Sequence, residues 1–198
     1  MSAARQYDVT ILLSKAVEEL LSIPCRKKLR HLDTVYVKGS KVKQDIFTYD
    51  ARHQGVDFFL IERTQEQADS DAENYDASIW ESDQDLRAMR QHVTDEFMEV
   101  FSLGVKQYLA GNWLSAHQNL LKADDMMIET VLEDGYVDYD LEDLDNGRIY
   151  DRDNKDFELV RVRNELGDGA CRVIMSHMQR HDLIPPTDWD AVRTLSSK

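Results

Sequence analysis

Apolar positions along this chain fall into distinct periods. At 9–13 they run almost without a break through Val9, Thr10, Ile11, Leu12 and Leu13. The β-branched content predicts a short buried strand. Ser14 then stands where a helix cap would, and Val17, Leu20 and Leu21 share one helical face, which Pro24 terminates. Alternation follows: Leu32, Val35 and Val37, then Gly39-Ser40, then Ile46, Phe47 and Tyr49. That pattern predicts a β-hairpin turning near Gly39, with lysines at its tip. Strand, helix and hairpin in this order signal a fold that mixes α and β elements, and we expect the α+β class.

Residues 62–90 lose any period and are polar and acidic, interrupted by Tyr75, Ile79 and Trp80; they read as a linker or irregular excursion. Helical spacing returns with Val93, Phe97, Phe101, Val105 and Tyr108, breaks at Gly111-Asn112, and resumes with Trp113, Ala116, Leu120, Ala123 and Met127. Two helices joined by a short glycine turn pack as an antiparallel hairpin. Segment 131–165 reads as a long acidic loop. A further helix is expected over 170–178, with Val173, Ile174 and Met178 as its apolar face. Pro185-Pro186 ends it, and Thr187 or Asp188 caps a last short helix carrying Trp189 and Leu195. A lone helical hairpin leaves one side of its stripe uncovered, so 91–130 and 169–195 are expected to form one compact unit with Trp113 buried.

Charge changes this picture. The 198 residues carry 24 Lys+Arg against 38 Asp+Glu, a formal net charge of −14, and phosphate backbones need a basic face, so a general nucleic-acid binder is excluded. The acidity is uneven. Arg26, Lys27, Lys28, Arg30, Lys38, Lys41 and Lys43 cluster with only Asp33 among them, which suits either a small anionic ligand or a solvated face. No apolar run is long enough for a membrane span. Cys25 and Cys171 are too few for a disulfide framework, so a reducing, cytoplasmic setting is expected.

Other constellations read as structural. His177 and His181 have the i, i+4 spacing of a metal pair but lack a third ligand and the glutamate of a zinc-protease helix, leaving a solvated helix face. The acids at 138–145 before Gly147 fail the EF-hand template because Leu144 occupies a ligand position. Cys25 lies beside three basic residues but has no identifiable base, and reads as inert.

Two stretches are recognisable. Gln6-Tyr7-Asp8-Val9-Thr10-Ile11-Leu12-Leu13-Ser14, with the helix through Leu21, is the first. His31-Leu32-Asp33-Thr34-Val35-Tyr36-Val37-Lys38-Gly39-Ser40-Lys41, ending in Phe47-Thr48-Tyr49-Asp50, is the second. Together they resemble the C-terminal half of a class III adenylyl or guanylyl cyclase domain. The remainder resembles the tail that follows some protist-type cyclase domains. Phe101, Gly104, Tyr108, Gly111, Trp113, Ala116, Leu120 and Ala123 look like one tetratricopeptide-type repeat, and Asp168-Gly169, Met178, Pro186, Trp189 and Leu195 resemble the closing segment of those tails.

The resemblance implies an incomplete cyclase-like unit at 1–61, an acidic linker at 62–90, a tetratricopeptide-like helical hairpin at 91–130, an acidic loop at 131–165 and a C-terminal helical segment at 166–198. The family lysine that contacts the nucleotide triphosphate falls at Lys38, with Lys41 and Lys43 as supporting basic residues. Arg5 takes the place of a family lysine and inherits no role. The family's metal-binding aspartates belong to the other half of the domain, so no catalytic residue is assigned and no cofactor is expected in this chain; Mg²⁺ or Mn²⁺ belongs to a complete domain. The implied function is that of a cyclase-derived C-terminal segment in cyclic-nucleotide signalling, inactive alone, whether as a split subunit, a truncated product or a stand-alone protein. Its implied partner is another cyclase-domain chain or half-domain, with ATP and GTP left open as substrates. The alternative is a non-catalytic interaction module whose helices bind an unidentified protein partner. Neither reading involves nucleic acid or membrane insertion.

Overall fold

The computed structural model describes residues 3–37, 42–51, 64–133 and 166–195. The N-terminal part contains α1 (Ala3–Gln6), β1 (Leu13–Ser14), α2 (Lys15–Leu20), α3 (Ile23–Lys27), β2 (Leu29–Tyr36) and β3 (Lys43–Tyr49). Three short helices follow: α4 (Gln65–Glu73), α5 (Ile79–Ser82) and α6 (Gln84–Ala88). Then come α7 (Asp95–Leu109), α8 (Trp113–Glu133), α9 (Gly169–Gln179) and β4 (Arg193–Thr194). The fold is α+β. A four-stranded mixed sheet of order β1-β3-β2-β4 carries helices, with β1 and β2 antiparallel to β3 and β4 parallel to β2.

The expected hairpin is β2–β3, and its pairing shifts between His31 and Asp33. Leu32 is the extra residue of a bulge, which slips the side-chain alternation by one position. Arg30 and Leu32 before the slip, and Asp33 and Val35 after it, are therefore all buried. This bulge turns two opposite charges toward the same interior.

Helices α7 and α8 form the expected antiparallel pair. Thr94 caps α7 by accepting from the Phe97 amide at 3.1 Å. Gly111, at φ +81°, makes the reversal in a conformation that favours glycine. Gly104 lets the helices touch, since a Cβ there would stand 2.8 Å from Leu120 Cγ. Helix α9 packs on α8 and covers the stripe, with Ile174 and Met178 fully buried beside Trp113, itself 1% exposed. Helix α7 also packs against β2, so the helical layer and the sheet share one core.

Several expectations need correction. The strand expected at 9–13 is reduced to Leu13–Ser14. Asp8 takes φ 54°, and the Ile11 carbonyl accepts from Thr48 Oγ1 rather than from a strand partner. Pro24 does not end α2. It sits in the first turn of α3, where a missing N–H costs nothing. The α2 face also points to solvent, with Val17 40% and Leu20 85% exposed. The last short helix is replaced by turns and β4, because the Ala191 backbone is left-handed (φ 64°) and the Leu195 amide donates to the Tyr36 carbonyl. Finally, the described part of 62–90 is helical rather than irregular, and Trp80 packs edge-on against Tyr49 with ring centroids 5.3 Å apart.

Candidate functional site

Arg30 belongs by sequence to the basic cluster that suits either a small anionic ligand or a solvated face, yet its side chain is 1% exposed. Its Nε and Nη2 donate to the two carboxylate oxygens of Asp50 at 3.0 and 2.7 Å. Nη2 also meets Asp168 Oδ2 at 2.8 Å. The guanidinium lies over the rings of Phe101 and Phe97, at 4.3 and 5.1 Å from their centroids. Burial works against the Arg30 charge, but Asp168 and Asp50 outweigh it and hold the group protonated beyond its ordinary range. Burial likewise pushes the Asp168 carboxyl up, while Arg30 and the Cys171 amide pull it further down, leaving it below the usual carboxylate value.

Asp168 has a second task. It caps α9 by accepting from the Cys171 amide at 2.7 Å, and its own amide donates to Asp124 Oδ1 of α8 at 2.7 Å. Asp168 thus ties the start of α9 to the sheet, through its carboxylate on Arg30, and to α8, through its amide on Asp124.

A parallel network surrounds Asp33. Tyr7 Oη donates to its Oδ2 at 2.6 Å, Arg193 Nε to the same oxygen at 3.0 Å, and the Thr34 amide to Oδ1 at 2.8 Å. Arg193 also stacks over the Tyr7 ring at 5.0 Å. Burial raises the pKa of both Asp33 and Tyr7. The bulge in β2 is what permits the two networks, because it faces both Arg30 and Asp33 inward.

A cleft of about 190 Å³ opens beside the first network, lined by Arg30, Thr48, Asp50, His92 and Asp168 among others. Its charges are committed to each other, which suits holding segments together rather than activating a nucleophile. The Cys171 thiol is fully buried and pushed far up by that burial. Among the described residues no three His, Cys, Asp or Glu gather in a way that could hold a metal.

Lys38 and Lys41 lie outside the described residues, as do the acids at 138–145. Lys43 is described, and its Nζ reaches the Asp190 carbonyl at 2.9 Å and Asp190 Oδ2 at 3.2 Å, so it fastens the hairpin to the tail. His177 is packed rather than solvated. It joins an aromatic cluster with Trp113 (5.5 Å), His181 (5.2 Å) and Tyr108 (6.1 Å). Burial of Cys25 raises its thiol pKa, with Arg90 opposing weakly, so the nearby cations do not activate it. Sequence reasoning does not identify Arg30 and Arg193 as buried partners, since Arg30 stands beside His31 among the N-terminal cations and no local pattern marks either arginine for burial.

Compared with known proteins, the chain matches no family model, no curated protein and no solved structure.

Proposed function

We propose that the chain works as the C-terminal segment of a class III nucleotide cyclase-like protein in cyclic-nucleotide signalling, inactive alone and completing a domain supplied by another chain. The observation that carries this reading is the joining of two resemblances. Asp33 and Asp50 stand in the stretch that resembles the cyclase hairpin, and Asp168 begins the stretch that resembles the closing tail. Arg193, between Trp189 and Leu195 of that tail, pairs with Asp33, and Arg30 bridges Asp50 to Asp168. The two stretches that carry the resemblances are thus held in one fold.

Cyclisation is an in-line attack of a ribose 3′-oxygen on the α-phosphorus, and in the family it draws on metal-holding carboxylates of the other half of the domain. In this reading Lys38 contributes a point charge to a phosphate, which is binding and not catalysis. Exposed Ile11, Val17, Leu20 and Ile23 supply an apolar surface for the completing half to cover.

The test is cyclic-nucleotide formation from ATP and GTP with Mg²⁺ or Mn²⁺. The isolated chain is expected to make none, and a chain carrying the metal-binding half is expected to become active only when this one is added. Turnover by the isolated chain that a point mutation in it abolishes would overturn the reading. The second reading, a non-catalytic interaction module, is favoured by Leu103 and Leu114, which stay 46% and 62% exposed on α7 and α8. It predicts no activation, and partner binding lost on Leu114→Ser.

A further inference from the structure

A second, larger cleft shares none of its described lining residues with the two ion-pair networks, although Arg90 in its wall donates to the Asp50 carbonyl. It has a volume of about 550 Å³ and sits where the end of α3 meets α5, α6 and the start of α7. Four cationic residues line it: Lys27, Lys28, Arg87 and Arg90. Asp95 is the one carboxylate among its described lining residues. In a chain of net charge −14 this local balance is the reverse of the whole.

The cations are available. The side chains of Lys27, Lys28 and Arg87 pair with no carboxylate among the described residues. Arg90 is anchored rather than neutralised. Its Nη1 donates to the Asp50 carbonyl at 3.1 Å and its guanidinium lies 4.8 Å above the Tyr49 ring. Burial lowers the Arg90 pKa, and Asp50, Tyr49 and Asp95 oppose that fall. The rest of the wall is organic in character. Trp80 lines the cleft half-buried, its indole N–H fixed on Tyr75 Oη at 2.7 Å, and Met98 lies on the α7 side.

Four cations around an aromatic wall make a specific chemical demand. Guanidinium forks and ammonium groups together favour a phosphoryl group over a single carboxylate. A held indole offers a face or edge to an organic body. A 550 Å³ space is far more than a water or a bare ion fills. We propose that this cleft binds a small phosphate ester, its phosphoryl group held by Lys27, Lys28, Arg87 and Arg90 and its organic part set against Trp80. The site is independent of the cyclase reading and of Lys38.

The experiment is calorimetric titration of the full chain with inorganic phosphate, pyrophosphate and adenosine monophosphate. Adenosine monophosphate is expected to bind at least tenfold more tightly than inorganic phosphate, with affinity falling as salt rises. Lys27 and Arg87 are exposed, so Lys27→Ala/Arg87→Glu should keep the thermal melting curve of the parent while weakening adenosine monophosphate and pyrophosphate at least tenfold. Trp80→Phe should weaken adenosine monophosphate and leave pyrophosphate unchanged, and Lys38→Ala should change neither. No heat from any probe at millimolar concentration overturns the proposal. So does binding that survives Lys27→Ala/Arg87→Glu, or equal affinity for phosphate and adenosine monophosphate. Loss of binding on Lys38→Ala alone would move the site to the hairpin tip and also overturn it.

Discussion

Arg193 and Asp33 stand 160 positions apart in the chain and meet at 3.0 Å, with the Asp33 side chain wholly buried. The contact makes the tail part of the sheet. Beside it the Leu195 amide donates to the Tyr36 carbonyl, and Val35 and Tyr36 pair in register with Arg193 and Thr194. Arg193→Met keeps the stem that packs on Tyr7 but leaves a buried carboxylate with only Tyr7 Oη and the Thr34 amide. Hydrogen exchange at Leu195 is expected to speed up well beyond that at α8, which the substitution does not touch. Equal change at both places would mean global destabilisation instead of tail release.

Arg30 is the costlier centre. Two carboxylates, Asp50 and Asp168, are 11% and 7% exposed and share its charge. Arg30→Met would leave both without their cation and is expected to cost about 3–5 kcal/mol, the range for breaking a buried pair from one side. Replacing all three by apolar residues should cost less than Arg30→Met alone, because the desolvated charges vanish together. Urea unfolding of the single and triple variants checks the order.

The contact between α7 and α8 rests on Gly104. Its hypothetical Cβ stands 2.8 Å from Cγ of Leu120, which is fully buried. Gly104→Ala is expected to cost about 1–3 kcal/mol through overpacking. Leu120→Ala alone should cost about 2–5 kcal/mol through its cavity. The double variant should be more stable than the sum of the two, since the added methyl enters the space Leu120 vacates. Strict additivity in chemical denaturation would disprove the close approach.

Much of this fold was legible because it rests on period. The stripes through Phe101 and Leu120 gave α7 and α8, and alternation about Val35 and Ile46 gave the hairpin. What escaped was set by contacts remote in sequence. Val9–Leu12 scan as a strand, but β1 has one partner, β3, and only two of its residues pair. Trp189 scans as helical, yet its indole N–H donates to the Leu109 carbonyl, 80 positions away. A charge such as Arg30 is normally outside. Only the β2 bulge and partners 20 and 138 residues on bring it in, and local pattern carries none of these.

His177 gives the chain a defined pH dependence. Burial lowers its pKa from 6.5 to about 4, with Arg193, His181 and Arg180 each adding to the fall. Between those values the unfolded chain binds more protons at this ring than the folded one. Stability therefore rises with pH through that window, and this contribution is complete above about 6.5. His177→Gln should flatten the slope of unfolding free energy between pH 4.5 and 6.5 and leave other pH-dependent features in place. An unchanged slope would mean that His177 titrates as it does in the unfolded chain.

Trp113 closes the helical layer. Its ring sits against Tyr108 (5.9 Å), Trp189 (5.1 Å), His177 (5.5 Å) and His181 (5.8 Å), and its indole N–H donates to the Tyr108 carbonyl at 3.1 Å. Three separate pieces of chain therefore converge on one side chain: the α7–α8 turn, the end of α9 and the tail before β4. Trp113→Ala removes the largest fully buried side chain of the described residues and is expected to cost about 3–5 kcal/mol. Trp113→Phe should recover a good part of this, since the ring contacts persist while the bond to Tyr108 is lost. The neighbouring Tyr108 hydroxyl provides the control. It is buried with no hydrogen-bond partner among the described residues, so Tyr108→Phe removes an unsatisfied group and should leave stability unchanged or raised. If urea unfolding instead shows Tyr108→Phe destabilising the chain as Trp113→Ala does, the hydroxyl has a partner, and the cluster is held by polar bonds as much as by ring packing.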